Sequence, residues 1–108
     1  MVSIDRRRYK RYPVSGRAKF QAGITEGDGD VLDIGSGGIL IRSPVGLSQG
    51  TELKTLFTIQ GYASEFSTSG RMVRAQLGVL AVMFLQEPVG LWELLKWLET
   101  AEGSQANP

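Results

Sequence analysis

The stretch "EFSTSGRMVRAQLGVLAVMFL", residues 65–85, decides the fold. Its two halves read as strands joined near Leu77-Gly78, and the second is apolar on both faces, as a central strand requires. Working backwards, "TELKTLFTI" (51–59) alternates, with Leu53, Thr55, Phe57 and Ile59 on one face. "SGRAKFQAG" (15–23) also alternates, Arg17, Lys19 and Gln21 opposing Ala18, Phe20 and Ala22. Between these, "ITEGDGD" (24–30) reads as a loop by composition and "VLD" (31–33) opens a strand. "GSGG" (35–38) breaks that strand and "ILIRS" (39–43) resumes as its hairpin partner. Short strands separated by closely spaced turn signals point to a small barrel or sandwich.

Working forwards, the period changes at Pro88. "PVGLWELLKWLETAEG" places Leu91, Leu94, Leu95 and Leu98 at helical spacing, flanked by Trp92 and Trp97, with Pro88 near the start and Gly103 as the stop. The expected architecture is mainly β: a six-stranded antiparallel β-barrel with a C-terminal α-helix and a flexible basic N-terminal arm. One domain is expected, with the arm over residues 1–12, barrel and helix over 13–102 (helix 88–102), and a disordered tail over 103–108.

Charge is distributed unevenly. Five of the twelve Lys and Arg crowd into residues 6–11 as Arg6, Arg7, Arg8, Lys10 and Arg11. Residues 12–108 hold seven cations against ten acids, a net of −3. A general nucleic-acid or membrane binder spreads positive charge over a face, so a basic arm on a slightly acidic body points to a local anion. The sequence has no Cys and no His, which excludes disulfides, thiolate metal sites and His-based catalysis. No apolar run approaches a membrane span, and the charged N-terminus lacks the apolar stretch of a signal peptide, so a cytoplasmic protein is expected.

Two motifs carry chemistry. In "DIGSGGI" (33–39) the glycines serve either a tight turn with positive φ or a flat ligand lying on the backbone, with Asp33 as an acceptor beside it. A carboxylate matches the N1–H and N2–H₂ donor edge of guanine. In the arm, Arg7 and Arg11 stand with three residues between them, and each guanidinium fork fits phosphate or the O6/N7 edge of guanine. "EGDGDVLD" (26–33) begins like a calcium loop but lacks Gly at loop position six and Glu at twelve, so it reads as a solvated hairpin tip.

Arg-x-x-x-Arg followed by Asp-x-(Ser)-x-x-Gly, ahead of "SGRMVRAQ" and "GVLAVMF", resembles the PilZ domain, the bacterial receptor module for cyclic di-GMP, over residues 5 to about 100. The resemblance implies a split-barrel fold. It also implies that Arg7 and Arg11 clamp guanine and phosphate, Asp33 reads a guanine edge, and Gly38 allows close backbone approach. Arg6 and Arg8 would add phosphate contacts. Arg42, if alternation holds beyond the turn, and Arg74, where some members stack an aromatic, would border the ligand.

The motif Ser is Gly35 here, with Ser36 displaced by one. Losing one neutral hydrogen bond, about 0.5–1.5 kcal/mol, lowers affinity about two- to tenfold. The implied function is a non-enzymatic cyclic di-GMP receptor without cofactor or metal, acting as a monomer or weak dimer through a downstream protein. The alternative is a PilZ-fold adaptor that binds protein and no nucleotide. Nonspecific RNA or DNA binding is disfavoured, because no basic strand face carries interleaved aromatics.

Overall fold

The structure, a computed structural model, describes residues 10–106, with side chains described as far as Thr100. Six strands and one helix follow in order: β1 Arg11–Ala22, β2 Thr25–Gly35, β3 Gly38–Arg42, β4 Glu52–Ile59, β5 Glu65–Gln76, β6 Val79–Phe84 and α1 Leu91–Ala106. Every neighbouring pair is antiparallel, and the strands close in the order β1-β2-β3-β6-β5-β4. Closure leaves no strand edge unpaired. Alternation sets the inside: Leu53, Thr55, Phe57 and Ile59 of β4 are buried while the residues between them are exposed. β5 and β6 meet at Leu77 (φ 55) and Gly78 (φ 78), two left-handed residues in succession, as a two-residue hairpin turn requires.

Three boundaries differ from the sequence reading. Residues 25–30, expected as loop, belong to β2, which pairs with β1 through Asp30↔Arg17, Asp28↔Lys19 and Glu26↔Gln21. The acid–glycine alternation is itself a period-2 strand pattern, disguised because its inner positions lack side chains. A Cβ on Gly27 would lie 2.6 Å from the Phe20 ring, and one on Gly29 would lie 2.0 Å from the Arg42 carbonyl oxygen. The acids face outwards, where Arg17 Nη1 meets Asp30 Oδ1 at 2.6 Å, so they serve cross-strand pairing and not a hairpin tip. The true tip is at Gly23 (φ 62) and Ile24.

The second difference is at the arm: β1 begins at Arg11, inside the span read as arm. The third concerns the helix. Pro88–Leu91 forms a turn closed by Leu91 N donating to Pro88 O at 3.1 Å, with Gly90 at φ 86 in its third position. That turn holds residues 88–90 out of α1. At the other end the helix continues through Gly103 to Ala106, since a glycine costs a helix about 1 kcal/mol without ending it.

The core is continuous from barrel to helix. Leu91, Leu94, Leu95 and Leu98 of α1 are buried with Phe20, Ile34, Ile41, Phe57 and Met72 of the barrel. Each leucine removed from water contributes about 1.5–3 kcal/mol. A series of rings runs from Phe84 through Phe57, Phe66 and Tyr62 to Trp97, with centroid separations of 6.3, 5.1, 5.9 and 5.1 Å. Trp97 is thereby tied to the barrel. Trp92 is 58% exposed.

One inward polar group fits this core poorly. Thr55 Oγ1 is buried without a hydrogen-bond partner, whereas Thr68 Oγ1, across the β4–β5 ladder, donates to the Gln86 carbonyl. An unsatisfied buried hydroxyl costs about 1–3 kcal/mol. Thr55→Val should therefore raise stability by about 1 kcal/mol, a rise of about 4–8 °C in melting temperature by calorimetry. An unchanged or lower melting temperature would show that the hydroxyl is satisfied in solution.

Candidate functional site

The site is built where β1 begins and β2 ends. Arg11 pairs with Gly35, and Pro13 with Asp33, which sets Arg11 diagonally across from Asp33 on the outer face. Arg11 Nε donates to Asp33 Oδ1 at 2.7 Å, and Nη2 approaches the same oxygen at 2.7 Å. Both contacts fall on one carboxylate oxygen, so the other lies outside the pair. The side chains are 40% and 22% exposed, so the pair is open to an incoming anion.

Asp33 faces outwards only because of a β-bulge. Inner positions of β2 run Gly27, Gly29, Val31, and strict alternation would carry Asp33 inwards. Between Val31 and Asp33 the register with β3 shifts by one residue, so Asp33 pairs with Leu40 and points out while Ile34 takes the core position. A second bulge does the same for Arg74. Phe66, Thr68, Gly70 and Met72 of β5 face in, and the shift between Met72 and Arg74 turns Arg74 out, opposite Ala81. Bulges concentrate at sites where a side chain must be re-aimed.

The two bulges put both residues on one row of the sheet: Asp33↔Leu40, Leu40↔Ala81, Ala81↔Arg74. Neighbouring strands lie about 4.8 Å apart, so three ladder steps, half of the six-strand circuit, put Arg74 roughly 14 Å from Asp33 measured along the curved wall through Leu40 and Ala81. Arg42 lies two residues along β3 on the same face as Gly38 and Leu40, exposed and opposite Asp30. Asp30 is engaged by Arg17, and among the described residues Arg42 makes no salt bridge. The structure thus brings Arg11 and Asp33 into contact, with Arg42 outward on the adjacent strand, and turns Arg74 outward three strands round the barrel from Asp33. Arg6, Arg7 and Arg8 lie outside the described residues.

The glycines serve close packing and not turn geometry. Neither Gly35, Gly37 nor Gly38 has a positive φ. A Cβ on Gly38 would lie 2.3 Å from the Val82 carbonyl oxygen, so the approach it permits is that of β6. A Cβ on Gly35 would lie 2.7 Å from the Lys10 carbonyl oxygen, because the chain entering β1 crosses directly over this position. Ser36, half-buried, starts the connection to β3, and Gly37 O accepts from Phe84 N at 2.9 Å, fixing that connection to the end of β6.

Gly35 is therefore more than a missing hydroxyl. Restoring the motif serine, Gly35→Ser, forces the Lys10 backbone to move and should cost about 1–3 kcal/mol of stability, read as a lowered melting temperature. An unchanged melting temperature would show that the entry to β1 yields freely.

Sequence reasoning missed a groove beside this site. Lys10, Tyr12 and Ser36 face Trp92, Leu95, Lys96 and Glu99 of α1 around about 300 Å³. Helical spacing alone marks Trp92, Lys96 and Glu99 as one face; the barrel contact that makes it a groove does not show in the sequence. A larger, open concavity of about 760 Å³ lies between β1, β2 and β4, and none of the expected site residues lines it. Among the described residues no cluster of His, Cys, Asp or Glu could hold a metal ion, and no helix is long and apolar enough to cross a membrane.

The fold is a closed six-stranded barrel with a C-terminal helix and an Arg–Asp pair at the junction of its first two strands. The PilZ domain profile matches residues 5–98, and the chain belongs to the PilZ domain family, whose members are non-catalytic modules. Solved structures share the fold. The PilZ domain of CeSA from a cellulose-synthesizing bacterium superposes with a TM-score of 0.64 at 18% identity, over 86% of this chain and 98% of that one. The Bacillus subtilis inhibitor of motility, MotI/DgrA, gives 0.70 at 16% identity over 92% of this chain, which spans 51% of that protein. An uncharacterized Legionella protein gives 0.54 at 16% identity, over 92% of this chain and 100% of that one. No curated protein sequence matches.

Proposed function

We propose that this chain is a non-enzymatic receptor for cyclic di-GMP that acts in the cytoplasm and signals through a partner protein. The observation that carries the reading is the Arg11–Asp33 pair, exposed on the outer face and turned there by a bulge, in a chain of the PilZ family. The ligand supplies what each half of the pair lacks. Its phosphates and guanine O6/N7 edges accept from the Arg11 fork, and a guanine N1–H/N2–H₂ edge donates to the Asp33 carboxylate.

Binding thus exchanges one internal ion pair for two charge-assisted contacts. Arg7 is placed by its spacing to act as the second fork, with Arg6 and Arg8 contributing charge. Arg42, outward on the adjacent strand β3, borders the same face, and Arg74 lies further round the barrel. Neutralising the five crowded cations alters the surface at the start of β1, and that altered surface is what a partner reads.

A second reading, an adaptor that binds no nucleotide, draws on Gly35, where the backbone of Lys10 leaves no room for the motif serine. Isothermal titration of cyclic di-GMP into the protein, with cyclic di-AMP and GTP as controls, separates the two. Selective binding at micromolar concentration or tighter supports the receptor. No heat, and no shift in melting temperature with excess ligand, leaves the adaptor.

A further inference from the structure

The groove between α1 and the start of β1 has the parts of a purine site. Trp92, Lys96 and Glu99 stand at i, i+4 and i+7, so they lie along one face of α1. All three are exposed, and Trp92 at 58% is unusually open for so large an apolar side chain. Its companion Trp97 packs on Tyr62 instead, so the exposure of Trp92 is not shared by every aromatic of the helix. The floor is apolar, formed by Tyr12 and Leu95, both nearly buried. Lys10 closes one side with its ammonium 5.1 Å from the Tyr12 ring centroid.

We infer that this groove is a second guanine subsite of the nucleotide site, with Trp92 as the stacking surface, Glu99 as the acceptor for the guanine N1–H/N2–H₂ edge, and Lys96 as a phosphate contact. The inference rests on the cyclic di-GMP reading and extends it to the helix. Three observations support it. Continuity is the first: Lys10 precedes Arg11 and crosses Gly35, and Ser36 follows Gly35, so the groove begins where the Arg11–Asp33 pair ends.

Size is the second: about 300 Å³ is the lower limit for a small-molecule site and suits one base, not a whole dinucleotide. The third is chemistry. Indole offers a π face to any base, a carboxylate selects guanine over adenine by its paired donors, and two lysines favour an anion. Asp33 offers the same acceptor to the other guanine, so a ligand with two guanines meets two carboxylates.

The test uses four single variants and the full chain. Trp92→Ala should weaken cyclic di-GMP binding by about 5- to 150-fold by calorimetry, while Trp92→Phe, which keeps a ring, should retain most of the affinity. Glu99→Ala should narrow the preference for cyclic di-GMP over cyclic di-AMP, an effect that a purely structural role on an exposed helix face does not produce. In a Trp97→Phe background Trp92 is the sole tryptophan, and its fluorescence should change on titration with the midpoint that calorimetry gives.

If the wild-type protein binds while Trp92→Ala and Glu99→Ala bind equally well and Trp92 fluorescence stays constant, the subsite is overturned and the receptor reading stands. If the wild-type protein binds no cyclic di-GMP, both fall together.

Discussion

Replacing Arg11 with alanine is expected to weaken cyclic di-GMP binding by at least about tenfold, and the Arg7→Ala/Arg11→Ala pair to abolish it. A hydrogen bond to a charged group contributes about 1.5–3 kcal/mol, or about 10- to 150-fold in affinity. The variant also leaves the Asp33 carboxylate without its cation beside an anionic ligand, which adds repulsion to the lost contact. Folding should hardly change. The Arg11–Asp33 pair is 40% and 22% exposed, and pairs in such settings contribute at most about 1 kcal/mol. Calorimetric affinity and melting temperature therefore separate the two roles. A normal affinity in Arg11→Ala, with melting unchanged, would remove the Arg11–Asp33 pair from the binding site altogether.

The second large effect is on stability. Gly38→Ala should destabilise the protein by about 3 kcal/mol, lowering the melting temperature by roughly 10–20 °C. Its added methyl would sit 2.3 Å from the Val82 carbonyl oxygen and 3.3 Å from Met83 Cα, both backbone atoms of the paired strand. Backbone cannot rotate away as a side-chain tip can, so β3 and β6 must part at Gly38, the start of β3. Gly46→Ala is the control, since a Cβ there meets nothing within 4 Å, and it should melt as the parent does. Equal melting of the two variants would show that the β3–β6 ladder tolerates the extra volume. The expected contrast bears on the family motif: the last glycine of "DIGSGG" is required by the barrel before any ligand arrives.

The inside and outside of most strands were legible in the sequence because a period of two survives any tertiary arrangement. Leu53, Thr55, Phe57 and Ile59 turn inwards as their alternation dictates, and the leucine stripe of α1 is buried as its spacing dictates. "TEGDGD" was not legible, because glycine on an inner face leaves the apolar half of the alternation blank. Its reason lies in other strands: the Phe20 ring and the Arg42 carbonyl oxygen occupy the space that side chains would need. The helix boundaries were misread for a related reason, since Pro88 signals a start but only the turn at Gly90 fixes where it falls.

The candidate site divides the same way. Residue types and order, Arg11 ahead of Asp33 with glycines following, were set by the sequence, because a guanidinium fork and a carboxylate carry their chemistry wherever they stand. Their placement was not. Strict alternation would send Asp33 and Arg74 into the core; one extra residue in β2 and one in β5 bring them out onto a shared row. A bulge changes direction without changing composition, so no local pattern announces it.

The groove at Trp92 depends still more on the fold, since it joins residues 10–36 to residues 92–99 and exists only once α1 covers the barrel. The sequence by itself determined which chemical groups this protein owns and which faces of its strands are apolar. Only the tertiary structure decided which groups meet, because that depends on register and closure, and these are properties of strand pairs and not of any one strand.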